Sequence, residues 1–371
     1  MAIKDEATAN AEEAPVPSGM PLISPWAASR PAAAPSRTSR RSRGSTYAAL
    51  DLGTNNCRLL VAEPAHWGFR VIDAFSRIVR LGEGLGRGNT LSADAIERTL
   101  EALRICRDKM AARKVARARL VATEACRLAE NGPAFIDRVR EELDIELEVV
   151  DRRTEAYLAV TGCASLADPR AQSVIVFDIG GGSTEIAWLD GPATHVFADP
   201  CKRIRAWDSL PVGVVTLAER YGGINVTPQI FEGMVEEVSE LLLDFALIAS
   251  QAERAPHFHL LGTSGTVTTV GGIHLGLARY DRRRVDGLWM NEGDVTRVVE
   301  RLVDTPFAER AANPCIGKDR ADLVLAGCAI LEAIRRAFPS ERLRIADRGL
   351  REGILMNMMR EDQAWRRGNF R

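Results

Sequence analysis

Apolar positions along this chain follow two rhythms. Short runs bounded by glycine or polar residues predict strands, and stripes at helical spacing predict helices. Two stretches place a pair of strand-like runs around a glycine-containing bend. In 173-SVIVFDIGGGSTEIAWLD-190 the first run is interrupted by Asp178 and ends at Gly180, Gly181, Gly182 and Ser183, and a second run covers 186–189. In 46-TYAALDLGTNNCRLLVAE-63 the plan repeats: Asp51 matches Asp178, Gly53 matches Gly180 and Asn56 matches Ser183. Two such hairpins predict a duplicated domain, with a ligand in the cleft between the halves.

The rest of the chain supports an α/β fold. Strands are predicted at 70–75, 120–122, 146–150, 201–208, 259–262 and 343–346. Ser92 is the expected N-cap of a helix whose apolar face is Ile96, Leu100, Leu103 and Met110. Further helices are predicted at 135–143, 154–163, 231–249, 295–302 and 317–338, with a last one reaching about residue 360. The helix at 231–249 turns Met234, Val238, Leu241, Leu242, Phe245 and Ile248 to the core. The polar stretch 164–172 reads as a hinge. The expected layout is a disordered tail at 1–44, a first domain at 45–170, a second at 171–357 and a charged tail at 358–371. The C-terminal helix is free to pack back on the first domain.

Composition narrows the class. A chain of 371 residues exceeds the usual size of one core. Hydrophobic content of 46% and charge of 27% are those of an ordinary soluble protein. A net charge of −1 gives no global pull toward nucleic acid or anionic membrane. The basic run 37–43 reads as part of a solvated tail. No apolar run approaches the ~18 residues of a membrane span, and the acidic start lacks the apolar core of a secretion signal. Seven scattered cysteines without a C-x-x-C pair read as reduced thiols, which places the protein in the cytoplasm. His257 and His259 alternate along one predicted strand and read as structural.

Candidate chemistry concentrates at the bends. Successive backbone N–H groups in a glycine-rich turn form an anion-binding concavity. The carboxylates of Asp178 and Glu185, at the flanks of one bend, suit a magnesium ion or a water beside a phosphate. Thr263, Ser264 and Gly265 open a helix, where free N–H groups and the dipole favour an anion. On these residues alone the same segment is equally a capped helix start with no ligand. Glu155 lies in the first turn of the 154–163 helix, where its carboxylate can face the cleft or merely complement the dipole. Arg77 and Arg80 lie on a glycine-rich loop, and a guanidinium suits phosphate because it donates two hydrogen bonds at once.

Taken together, DLGTNNCRLL, TEACRLAEN, the EA of DRRTEAYLAVTG, VFDIGGGSTEI, LPVGVVTL, GTSGT, RADLVLAG and DRGLREG resemble the exopolyphosphatase / guanosine pentaphosphate phosphohydrolase (Ppx/GppA) family of the actin-like ATPase superfamily. The resemblance spans about residues 46–357. It implies two ribonuclease-H-like domains with a cleft between them. It also implies hydrolysis of the terminal phosphoanhydride of polyphosphate or guanosine pentaphosphate with magnesium. By this match Glu155 is the general base, and Asp178 and Glu185 hold the metal or the water. Gly180, Gly181, Gly182 and Ser183 cradle phosphate opposite Asp51, Gly53, Thr54 and Asn55, while Arg127 and Arg80 neutralise the substrate. A homodimer is also implied. The chain reads DRRTEA where the family often reads S-G-x-E-E-A, so a single base is carried over rather than a carboxylate pair. It lacks the added helical domain of longer members, which leaves short chains or a guanosine nucleotide as plausible as long polyphosphate. A kinase or ATPase of the superfamily, or a sensor that binds without turnover, remain the alternatives.

Overall fold

Both hairpins form, and each begins a sheet with the same strand order. The computed structural model of the chain describes residues 45–66, 68–192 and 199–366. The N-terminal stretch 1–44, with its basic run, and the last residues of the charged tail lie outside the described residues.

The first sheet contains β1 (Tyr47–Leu52), β2 (Asn56–Ala65), β3 (Gly68–Ile78), β4 (Arg117–Ala122) and β5 (Glu148–Val149), in the order β3-β2-β1-β4-β5. β1, β2 and β3 run antiparallel; β4 and β5 add in parallel. The second sheet contains β6 (Ser173–Ile179), β7 (Thr184–Asp190), β8 (Ile204–Leu210), β9 (His259–Thr263), β10 (Trp289–Asn291) and β11 (Arg342–Ala346), in the order β10-β11-β9-β6-β7-β8. Its run β8-β7-β6-β9-β11 repeats the first sheet strand for strand, with the same antiparallel and parallel pairings, and β10 is an antiparallel addition. The expected ribonuclease-H-like duplication is therefore present in the topology itself.

Helix boundaries follow capping chemistry. Ser92 caps the Ala93–Ala112 helix as expected, accepting the N–H of Ala95 at 3.3 Å. The next key helix, Arg152–Cys163, starts earlier than the sequence pattern suggested. Asp151, not Thr154, is its N-cap, and its carboxylate accepts the Thr154 N–H at 2.7 Å. The predicted 317–338 helix begins only at Val324, because 318–323 winds as turns. In the Pro228–Ile248 helix the core face holds except at its end, where Ile248 is half exposed. His259 is fully buried with its ring edge against Trp289, and His257 precedes the strand rather than sharing its face.

Two features join the lobes. The 164–172 segment is anchored rather than a solvated linker: Asp168 is buried and holds the guanidinium groups of Arg170 and Arg342. The C-terminal helix Leu350–Glu361 packs Leu350, Ile354, Leu355 and Met358 against Tyr47, Ala49 and Leu60 of the first sheet. It crosses the Arg152–Cys163 helix at glycines. A Cβ on Gly353 would stand 2.0 Å from the Leu158 carbonyl, and one on Gly162 1.9 Å from the Gly349 carbonyl. Only glycine permits so close a crossing, and it brings the first turns of both helices to one place. Among the described residues no helix is long and apolar enough to cross a membrane. All seven cysteines are free.

Candidate active site

Strand register sets the core of the site. Asp51 lies opposite Arg58 across β1 and β2, and Asp178 lies opposite Glu185 across β6 and β7. Cross-strand partners share a sheet face, so each aspartate has its partner beside it. The two turns close with the same bond: Gly53 N–H to the Asn56 carbonyl and Gly180 N–H to the Ser183 carbonyl, each 2.9 Å. The turns also touch each other. A Cβ on Gly181 would stand 2.9 Å from Thr54 Cβ, and one on Gly182 2.8 Å from Thr54 Oγ1. Side chains on one turn are accommodated because the other has none.

Around these turns lies a cavity of about 490 Å³. Asp51, Gly53, Thr54 and Asn55 line it from the first lobe. Asp178, Gly180, Gly181, Gly182, Ser183 and Glu185 line it from the second, with Thr263, Ser264 and Gly265 beyond them. Glu155 lines it too, only 9% exposed. Three cavity residues carry a buried polar atom with no hydrogen-bond partner: Asn55 Oδ1, Glu155 Oε2 and Ser264 Oγ. Ser264 also adopts φ of 100°, a strained conformation for a residue other than glycine. Orphaned polar atoms and backbone strain are unfavourable, and they cluster where a ligand compensates.

The carboxylates are driven toward their neutral forms. Burial, then the charges of Glu185 and Asp51, push Asp178 up to about 7. Burial raises Asp51 against the opposing pull of Arg58 and Arg351. Burial also raises Glu185, whose Oε1 accepts hydrogen bonds from Ser183 Oγ at 2.7 Å and Ser209 Oγ at 2.9 Å. Glu155 is raised well above the ordinary range by burial and by Glu185, with Arg127 opposing.

Arg127 and Arg80 do not line the cavity. Arg127 sits behind Glu155, with Nη2 2.7 Å from Glu155 Oε2, close enough for an ion pair but without hydrogen-bond alignment. Its other bonds run to Glu124 Oε2 (2.9 Å) and the Val150 carbonyl (2.6 Å), and Glu124 also accepts from Arg152 at 2.8 Å. Arg80 reaches the second lobe, where it donates to both oxygens of Asp322 (3.0 and 3.2 Å) and to the Asp319 carbonyl (3.0 Å).

Sequence reasoning overlooked the arginines of the wall: Arg58, Arg282, Arg320, Arg348 and Arg351. Arg58 was within reach, because the turn Gly53–Asn56 dictates its pairing with Asp51. The other four come from segments whose convergence is tertiary.

Among the described residues no three His, Cys, Asp or Glu side chains gather as a cation cage. Magnesium rarely needs one; it keeps several waters and takes one or two carboxylates plus substrate phosphates. The paired Asp178 and Glu185, both held partly protonated by burial, suit that mode.

A sequence model of the Ppx/GppA phosphatase family matches residues 60–362. Among solved structures, the Aquifex aeolicus member of that family is 27% identical, with 86% of this chain and 98% of that chain covered and a TM-score of 0.69. An exopolyphosphatase-like protein is also 27% identical, covering 85% and 99%, with a TM-score of 0.74. An exopolyphosphatase from Cytophaga hutchinsonii, 23% identical over 85% and 98%, shares the fold with a TM-score of 0.75. With a family match across most of its length, the same duplicated sheets and the motif residues gathered at one cavity, the chain belongs to the Ppx/GppA phosphatase family.

Proposed function

We propose that this protein hydrolyses the terminal phosphoanhydride of inorganic polyphosphate or of guanosine pentaphosphate. The observation that carries this reading is the position of Glu155: a buried carboxylate in a helix first turn, on the wall of the cavity that holds both Asp-Gly bends. Membership of a phosphatase family and resemblance to exopolyphosphatase-like structures support it.

The residues divide the work as follows. The glycine-rich turn 180–183 and the turn 53–55 bind phosphate oxygens, and the start of the Gly265–His274 helix adds a third anion site. Glu155 accepts a proton from water as the water oxygen bonds to the terminal phosphorus. The anhydride P–O bond breaks, and the shortened chain leaves as a phosphate anion. A base raised in pKa by burial takes that proton more readily near neutral pH, and Arg127 keeps a share of it ionised. Ser183 and Ser209 fix the Glu185 carboxylate. Asp178 and Glu185 would hold magnesium, which neutralises charge on the transferring phosphoryl group.

The test is Glu155→Gln, assayed by phosphate release from short polyphosphate in magnesium. Turnover drops by about a hundredfold or more with substrate binding retained. Unchanged turnover would remove Glu155 as the base. Polyphosphates of several lengths, guanosine pentaphosphate and ATP, assayed side by side, separate the substrates.

A further inference from the structure

The five arginines on the cavity wall fall into two sets. Arg282 and Arg348 are committed to carboxylates: Arg282 donates to Glu352 at 2.8 Å and Arg348 to Asp286 at 3.0 Å. Arg58, Arg320 and Arg351 line the same cavity, and none of them is ion-paired among the described residues. They arrive from distant segments. Arg58 is on β2 of the first lobe, Arg320 precedes the Val324–Ala337 helix, and Arg351 lies in the first turn of the C-terminal helix.

Arg320 is held ready. Its Nε and Nη2 donate to the carbonyls of Ile316 (3.1 Å) and Cys315 (3.4 Å). Nη1 remains, 3.6 Å from where a Cβ on Gly265 would stand, beside the 263–265 turn. Arg58 is close enough to repel both of the others: it adds to burial in lowering the pKa of Arg320 and of Arg351. Gathering like charges in a partly dehydrated pocket is unfavourable unless a counter-charge enters. Nearby carboxylates do not supply that charge as ion-pair partners.

The cavity is thus divided. Glu155, Asp178 and Glu185 form an acidic end suited to water and metal, and the three arginines form a cationic end. We propose that Arg58, Arg320 and Arg351 form an anchor for the phosphates behind the scissile one, so that the site selects tripolyphosphate and longer anionic tails over pyrophosphate. This inference rests on the hydrolysis reading above and specifies how its substrate is held.

Equilibrium binding to Glu155→Gln protein separates the anchor from the chemistry. Calorimetry with tripolyphosphate and with pyrophosphate is compared before and after adding Arg58→Gln or Arg351→Gln. Each change weakens tripolyphosphate by about tenfold or more, the loss of one charge-assisted contact. Pyrophosphate weakens by less than about threefold. In otherwise native enzyme the KM for tripolyphosphate rises more than kcat falls, and Arg58→Lys recovers part of the affinity. Equal losses for both ligands, or no loss in a variant that melts like its parent, overturn the anchor. If Arg351→Gln does not fold, Arg58→Gln on its own decides the matter. Should the native protein bind tripolyphosphate through Arg58 yet release no phosphate from any phosphoanhydride, the anchor stands and the hydrolysis reading falls.

Discussion

The two hairpins have one backbone plan and opposite chemistry. Each has an aspartate, a turn closed by a 2.9 Å glycine N–H bond, and a partner across the strand pair. In the first hairpin that partner is Arg58; in the second it is Glu185. The first turn bears Thr54 and Asn55, and the second is bare glycine at the matching places. The difference teaches that the duplicated sheet supplies position only. One copy presents acid for metal and water, the other presents a cation for the remaining substrate charge, and the bare turn lets the two meet.

The largest expected difference between the hairpins is in stability against pH. Asp178 ionises near 7 in the fold against an ordinary 3.8. A carboxylate raised in this way contributes stability that is full below 3.8 and lost as pH rises through about 7. The loss amounts to about 4 kcal/mol between about pH 4 and pH 8 without metal. Asp51 is raised in the same direction, but Arg58 and Arg351 oppose it. Denaturant titrations across that range, in chelator, should therefore flatten more in Asp178→Asn than in Asp51→Asn. Equal flattening would mean the arginines do not distinguish the two sites.

Next in size is the division of chemistry. Glu185→Gln lowers turnover by about a hundredfold at saturating substrate, on the scale of losing one preorganised electrostatic group. Its counterpart change, Arg58→Gln, acts mainly through affinity. Steady-state phosphate release in a magnesium titration separates them, and matching kcat and KM changes in both variants would erase the contrast.

A smaller effect tests the turns themselves. A Cβ on Gly180 would meet the Ser183 carbonyl at 2.8 Å, whereas one on Gly53 meets nothing nearer than 3.7 Å. Gly180→Ala costs about 1–3 kcal/mol by overpacking, and Gly53→Ala costs less than about 1 kcal/mol. Chemical denaturation of the two variants checks the order. Smallest is Arg80→Ala. Its link to Asp322 joins the lobes but is partly solvated, so its loss costs about 1 kcal/mol or less by the same measurement.

By itself the sequence determined what depends on near neighbours. Hairpin register follows from the turn, so the match of Asp51 with Asp178 and of Gly53 with Gly180 was legible before any coordinates. Ser92 was legible as a cap for the same reason. Asp151 was missed because Thr154 offered a competing cap signal a few residues on, and capping is settled by which side chain reaches the free N–H groups. Tertiary structure alone decided the rest of the site. The sequence marks Arg127 as a cation near the substrate, but the fold brings Glu155, Glu124 and the Val150 carbonyl around it and so commits its donors. It marks Arg80 as a phosphate ligand, and the facing lobe supplies Asp322 instead. It says nothing of Arg320 and Arg351 beside Arg58, because charges separated by hundreds of positions meet only when two sheets and a glycine-notched helix crossing have brought their backbones together.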